Sequence, residues 1–231
     1  MSIFIQIFLN SLETGGIYAL AALGIILIFR TSNTTNYAQG AISMFNAFVA
    51  TNILIRTNLP VYIVALLGML SAFVVGVLVD RIVISKTQNM DPVSKQIITL
   101  GLLMIFLGLA PMLFGTDPIQ FPRFIYGSHI ILGATISYNA ILNIIVVIAL
   151  VSFLFYMLQR SKWGLSIRAT SSSEVVARMM GIPTSIVTMT SWAIAAALGT
   201  LSAVMLAPST SVSISMMDGV QTIAFLSCVL G

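Results

Sequence analysis

Residues 61–79 read VYIVALLGMLSAFVVGVLV, nineteen positions without a charge, an amide or a proline. Nineteen helical residues reach about 28 Å, close to the roughly 30 Å hydrocarbon core of a bilayer. The run is continuous and lacks period-two alternation, so it reads as a helix and not as a strand of a membrane barrel. Working outward, runs of similar length bounded by polar turns give six spans, at about 12–29, 40–56, 61–79, 97–114, 138–158 and 185–206. The expected fold class is all-α: a polytopic transmembrane helix bundle forming a single domain over residues 1–231.

Composition agrees. Hydrophobic residues make up 58% of the 231 positions and charged residues 7%, against about 25% charged in ordinary soluble domains. So few charges cannot cover a water-facing surface. The net charge of +4 comes from ten basic residues spread over short loops, with no basic stripe carrying interleaved aromatics, so nucleic acid is not an expected partner and the lipid bilayer is. The single cysteine, Cys228, excludes an internal disulfide and reads as a small packed hydrophobe.

The second span is the most polar, with Ser43, Asn46, Thr51 and Asn52, and is expected to be broken, tilted or shielded from lipid. A seventh run starts near Val220 and reaches Gly231 after about a dozen residues, fewer than a span needs. A bundle cut short at its C-terminus is therefore expected. Gly127 to Asn139 is rich in Gly, Ser, Thr and Asn and reads as an external turn or short re-entrant piece. Met1 to Ser11 hold no Lys or Arg and no small-residue cleavage site follows the first run, so that run is expected to stay as a helix.

Basic residues set the orientation, because Lys and Arg concentrate on the cytoplasmic side. With the N-terminus outside, Arg30, Arg81, Lys86, Lys95, Arg160, Lys162, Arg168 and Arg178 fall inside and only Arg56 and Arg123 outside, eight against two. The Ala-Leu-Gly texture of spans one (Tyr18 to Gly24) and six (Ala195 to Gly199) has two readings: an internal duplication, or small residues at helix contacts.

Enzymatic constellations are hard to find. His129 has no cysteine or second histidine near it, which argues against a metal site or a histidine-dependent triad, and no Walker A loop is present. No cofactor and no enzymatic activity are expected, so any ATP-driven work must come from another chain. Polar groups near the membrane carry more information, since in lipid they must face a partner or a water-filled path. The run Asn33 to Gly40 joins spans one and two at a polar bend; its amides could line a route for a small polar solute, or it is an interfacial loop with Tyr37 as anchor. Asn36, Tyr37, Gln39 and Asn46 are the candidate pathway residues. Glu13 reads as a carboxylate reaching the headgroups, Asp80 and Arg81 as an interfacial charge pair, and Asp117 and Asp218 as solvated charges.

The loop 159–183 carries a further signal. Ser171 to Ser173 are N-cap candidates, Glu174 follows in the first turn, and Gly181 with Pro183 forms a stop, which describes a helix of about two turns. Val175, Val176, Met179 and Met180 recur at i and i+4 and make one side apolar. So short a helix is marginal in water by itself. It is expected to dock in a groove on a cytoplasmic partner, or else against its own bundle or the headgroups.

Gly164-Leu165-Ser166-Ile167-Arg168-Ala169-Thr170, then Ala177-Arg178-Met179-Met180-Gly181-Ile182, then Leu198-Gly199 through Leu206-Ala207-Pro208, resemble the membrane permease subunits of branched-chain amino-acid (LIV-type) ABC importers. Tyr18 to Arg30, Asn36-Tyr37-Ala38-Gln39-Gly40, Thr99-Leu100-Gly101-Leu102, and Phe114-Gly115-Thr116-Asp117-Pro118 with Phe121-Pro122 agree with that family, in its order. The resemblance implies a permease of the cytoplasmic membrane that works with a second, homologous or identical permease subunit, two cytoplasmic ATP-binding subunits and an external solute-binding protein. It also implies that the short helix is the coupling helix, with Arg168, Glu174, Val175, Val176, Ala177, Arg178, Met179, Met180 and Gly181 at the ATPase contact. Ala41 and Asn46 stand where the family often has an acidic residue and a glycine, and Ser173 and Val175 where acidic residues are common. The expected solute is a branched-chain or other aliphatic amino acid. The same architecture importing urea or a short amide is the alternative, and a secondary transporter without an ATPase fits less well because spans two to six hold no interior carboxylate.

Overall fold

The computed structural model describes residues 2–87, 90–131 and 134–230. Its elements in order are α1 (Ser2–Ser32), α2 (Gln39–Thr57), α3 (Val61–Ile82), a 3₁₀ turn (Ile84–Thr87), α4 (Pro92–Phe114), strands β1 (Ser128–Ile131) and β2 (Ala134–Ser137), α5 (Tyr138–Arg160), α6 (Lys162–Ser172), α7 (Glu174–Met179), α8 (Thr184–Thr210) and α9 (Asp218–Leu230). It is an all-α polytopic bundle with one small hairpin. Five of the described helices, α1, α3, α4, α5 and α8, are long and apolar enough to cross a membrane. The expected second span, α2, is an unbroken helix outside that set of five, and shielding is what protects its polar groups: Ser43, Asn46 and Thr51 are fully buried.

The bundle is built around α8, which packs on α1, α2 and α3. Its apolar window is 78% buried, against 17% for α5 and 22% for α4, so α8 is the axis and those two lie at the rim. Small residues permit this. A Cβ on Gly76 of α3 would lie 2.7 Å from both the Cα of Ala193 and the carbonyl oxygen of Trp192, so two backbones touch directly. Gly68 similarly lets α3 close on Ala50 of α2. On the other side of α2, Phe45 and Phe48 pack against Phe106 and Phe114 of α4 at centroid separations of 5.3–5.7 Å.

Several expectations need correction. The helix that carries the expected span at about 12–29 already begins at Ser2, and its added turns are pinned: Gln6 donates to the Thr135 carbonyl at 2.8 Å and accepts from the Thr135 N–H at 2.7 Å. In the 127–139 stretch, of which residues 132–133 lie outside the described residues, β1 and β2 pair antiparallel with Ser128 opposite Ser137, α5 starts at Tyr138, and Ser137 caps α5 by accepting from Ala140 N. Asp80 and Arg81 do not pair. Consecutive helical residues point to different faces; Asp80 turns inward, with its Oδ1 buried and unpartnered, while Arg81 is exposed. Glu13 is half-buried and accepts from Asn143 Nδ2 of α5 at 2.7 Å instead of reaching outward alone. Asp117 and Asp218 are exposed.

Candidate functional site

Between α1 and α2 the chain turns through Asn33, which takes a left-handed conformation (φ 52°), and re-enters the bundle. Asn36 accepts from Ala38 N at 3.0 Å, a side-chain turn that organises the start of α2. Its Nδ2 donates to Gln39 Oε1 at 3.3 Å, and Gln39 Nε2 donates to the carbonyl of Ala195 at 2.7 Å. Ala195 lies eleven residues into α8, about 16 Å along its axis. The bend therefore sits well inside the bundle.

Two glycines make room for the Gln39 amide. A Cβ on Gly24 of α1 would approach Gln39 Nε2 to 2.9 Å, and one on Gly199 of α8 to 2.6 Å. The Ala-Leu-Gly texture of the two helices thus has a contact role at this point. Asn36, Gln39 and Asn46 are fully buried and Tyr37 half-buried, its ring 5.4 Å from Phe225. Asn46 Nδ2 donates to Ile42 O at 2.8 Å and its Oδ1 accepts from Ser71 Oγ of α3 at 2.9 Å. The four candidate pathway residues occupy α2 and the turn before it, with partners on α3, α8 and α9.

One organising residue escaped the sequence reading. Gln221 of α9 accepts from Gly40 N at 2.5 Å and donates to Tyr37 O at 2.6 Å, satisfying two backbone groups of the bend at once. Its signal was available: a lone amide in an apolar run. A cavity of about 20 Å³ beside Gly40, Met44, Leu103 and Gln221 has room for a single water and not for an amino acid. Gln221→Leu is expected to strand the Gly40 N–H and the Tyr37 carbonyl, at about 1–3 kcal/mol for each group that stays buried and unpaired. A lower unfolding midpoint in detergent is the expected readout; an unchanged midpoint would show that α9 does not hold the bend.

The second candidate site is the segment after α5. It contains a helix, α6, where the sequence predicts a loop; the N-cap at its start is Ser161, which accepts from Gly164 N at 3.0 Å and lies outside the serine cluster. Gly164 lies against the backbone of Leu158, where a Cβ would clash. Ile167 is fully buried in a small core with Leu27 and Val187, and Trp163 Nε1 donates to Thr190 Oγ1 at 2.9 Å. Arg168 turns back, its Nη1 donating to the Leu158 and Gln159 carbonyls at the end of α5.

For α7, Ser173 is the N-cap, accepting from Val176 N at 3.3 Å. At the other end Gly181 has φ 83°, with Ile182 N bonded to Ala177 O at 3.0 Å and Gly181 N to Arg178 O at 3.1 Å. These are the paired bonds of a Schellman stop. Glu174 and Arg178 form an ion pair at 2.8 Å, and Ala177 alone on the helix is buried. Val175, Val176, Met179 and Met180 are 65%, 56%, 81% and 77% exposed, an apolar surface uncovered by the described chain.

Comparison with known proteins adds three findings. The family described as "Branched-chain amino acid transport system / permease component" matches residues 7–231. The chain is 26% identical to the high-affinity branched-chain amino acid transport system permease protein BraD of Pseudomonas aeruginosa, over 99% of this chain and 79% of that protein. It is also similar to two LivH proteins: the high-affinity permease protein of Escherichia coli (23% identity, 99% of this chain, 79% of that one) and a probable permease protein of Methanocaldococcus jannaschii (25%, 78% and 58%). No solved structure matches.

Proposed function

We infer the function from a single premise, that the chain belongs to the family of branched-chain amino acid transport permease components. We propose that it is the transmembrane subunit of an ATP-driven importer moving a branched-chain or other aliphatic amino acid across the cytoplasmic membrane. It would assemble with a second permease, two cytoplasmic ATP-binding subunits and an external solute-binding protein, and perform no covalent chemistry itself. The observation that carries this reading is α7: a capped helix held to the chain by Ala177, with four apolar side chains facing away from it. An apolar helix face presented in this way suits a groove on a partner protein. The test is solute uptake by the assembled complex with its binding protein, scanned over leucine, isoleucine, valine, other neutral amino acids and urea, with co-purification of the ATPase. Absence of ATPase association would overturn the proposal, and uptake of urea alone would replace the solute.

In the proposed orientation the N-terminus lies outside and α6 and α7 lie in the cytoplasm, supported by the eight-to-two distribution of basic residues. A cysteine at Ser172 or near Lys86 should react only from the cytoplasm, and one near Thr116 only from outside. Labelling of Ser172→Cys by an impermeant reagent in intact cells would reverse the assignment.

For the pathway, we assign the closing element to the polar bend of Asn36, Tyr37 and Gln39, with Asn46 below it. Their buried amides are held by a few hydrogen bonds that a second arrangement of α2, α8 and α9 could exchange. ATP-dependent closure of the partner subunits on α7 would bias that exchange and switch access between the two sides. Asn46→Leu is expected to lower uptake while ATPase association stays intact. Unchanged uptake and solute preference in both Asn36→Leu and Asn46→Leu would remove the bend from the pathway.

A further inference from the structure

The last turns of α1 and α5, with α6 and the middle of α8, enclose a cavity of about 450 Å³. Its walls are apolar, formed by Leu23, Leu27, Leu154 and Leu198, and its mouth carries Arg30, Gln159 and Arg168. Leu23 precedes Arg30 by seven helical residues, so the apolar part runs about 10 Å deep from the charged rim. Two guanidinium groups share this rim, and no carboxylate lines the cavity.

Arg30 has no hydrogen-bond or ion-pair partner among the described residues. Arg168 spends only Nη1 on the last carbonyls of α5, which fixes the group at the mouth and leaves Nε and Nη2 available. Two like charges held around one opening repel unless an anion lies between them. Phe155 beside the rim is exposed on α5, the least buried of the five candidate spans, so within the described chain this side of the rim is open.

We propose that this cavity binds one anionic phospholipid, its phosphate held by Arg30 and Arg168 and an acyl chain lying along Leu27, Leu154 and Leu198. A phosphate accepts the paired donors of guanidinium groups with charge assistance. A headgroup without a compensating ammonium is preferred where two cations stand together, as in the basic pockets between transmembrane helices that take anionic headgroups. An acidic protein segment would match the rim but not the apolar depth. The bound lipid would tie α6 to the ends of α1 and α5. The site shares Arg168 with the ATPase contact that the resemblance implies, but its lipid preference is read without the ATPase; the proposed orientation decides only which leaflet supplies the lipid.

The test uses the full chain, purified and exchanged into nanodiscs of phosphatidylglycerol or phosphatidylethanolamine with the same acyl chains, then released for native mass spectrometry. Retained phosphatidylglycerol is expected to exceed retained phosphatidylethanolamine at least tenfold. Arg30→Gln should remove most of that preference and Arg30→Lys should keep part of it. Arg168→Gln should act in the same direction, with the unfolding midpoint recording any separate loss from uncapping α5. Equal retention of the two lipids by the wild type, or wild-type preference in Arg30→Gln, would overturn the proposal. So would displacement of the lipid by inorganic phosphate alone, since the cavity would then be an anion site without an acyl component.

Discussion

Gly76→Val is expected to prevent the bundle from accumulating in folded form. A Cβ at this position would stand 2.7 Å from the Cα of Ala193 and from the Trp192 carbonyl oxygen, and both belong to the backbone of α8. A side chain can rotate away from such a contact, whereas a helix backbone in mid-span cannot. Relief would require α3 and α8 to separate along the contact that also buries Trp192, Ala72 and Val79. Overpacking a close contact costs about 1–3 kcal/mol in ordinary cores, and a clash between two backbones lies at the upper end or beyond. Gly101→Val is the matched control. Gly101 is exposed on α4 with nothing within 4 Å of its Cβ position, so the same substitution should leave yield and unfolding midpoint within experimental scatter. Size-exclusion profiles and thermal midpoints of both variants decide the point; a monodisperse Gly76→Val chain with the wild-type midpoint would mean that the α3–α8 contact is looser than the structure has it.

The second large effect is on coupling. Met179 and Met180 are exposed in the chain, so their joint replacement by alanine should leave insertion and folding unchanged. If α7 enters an ATPase groove as proposed, the pair loses several methylenes of contact, at about 0.8 kcal/mol for each that is fully buried. Since about 1.4 kcal/mol corresponds to a tenfold change in affinity, ATPase association should weaken severalfold or more. Gly181→Val should be worse. The Schellman stop requires φ 83° at Gly181, a conformation that a β-branched side chain resists, so the variant disturbs the presentation of the whole helix. Co-purification of the ATPase and solute-stimulated ATP hydrolysis in reconstituted membranes are the measurements. Wild-type values of both in the methionine pair variant would exclude α7 as the coupling element.

Local signals were read well where the groups concerned are close in sequence. Ser173 as a cap, Gly181 as a stop and the i, i+4 apolar pairs of α7 all depend on neighbours within a turn or two. Errors arose where the partner is remote. The extent of α1 depends on Gln6 meeting Thr135, 129 positions away; the bend, for which the sequence left two readings open, is placed by Gln39 meeting Ala195 and Gln221 meeting Tyr37. Lone amides in apolar runs were the available warning, and they announce that a partner exists without saying which. Asp80 was misread for a different reason: adjacency in sequence implied a pair, while the helical turn sends Asp80 and Arg81 to different sides.

What the sequence determined by itself is the all-α polytopic class and the polar exception among its helices. Backbone groups in lipid must be satisfied within their own helix, so a long enough apolar run has one solution. Its motifs in order also carried the family, which the match over residues 7–231 bears out. Only the tertiary structure decided that α8 is the axis, that Gly24 and Gly199 are spaces for the Gln39 amide, and that the polar bend lies deep in the bundle. Among apolar helices no difference in hydrophobicity selects a neighbour, so the arrangement is settled by how closely backbones can approach and which buried polar groups find each other.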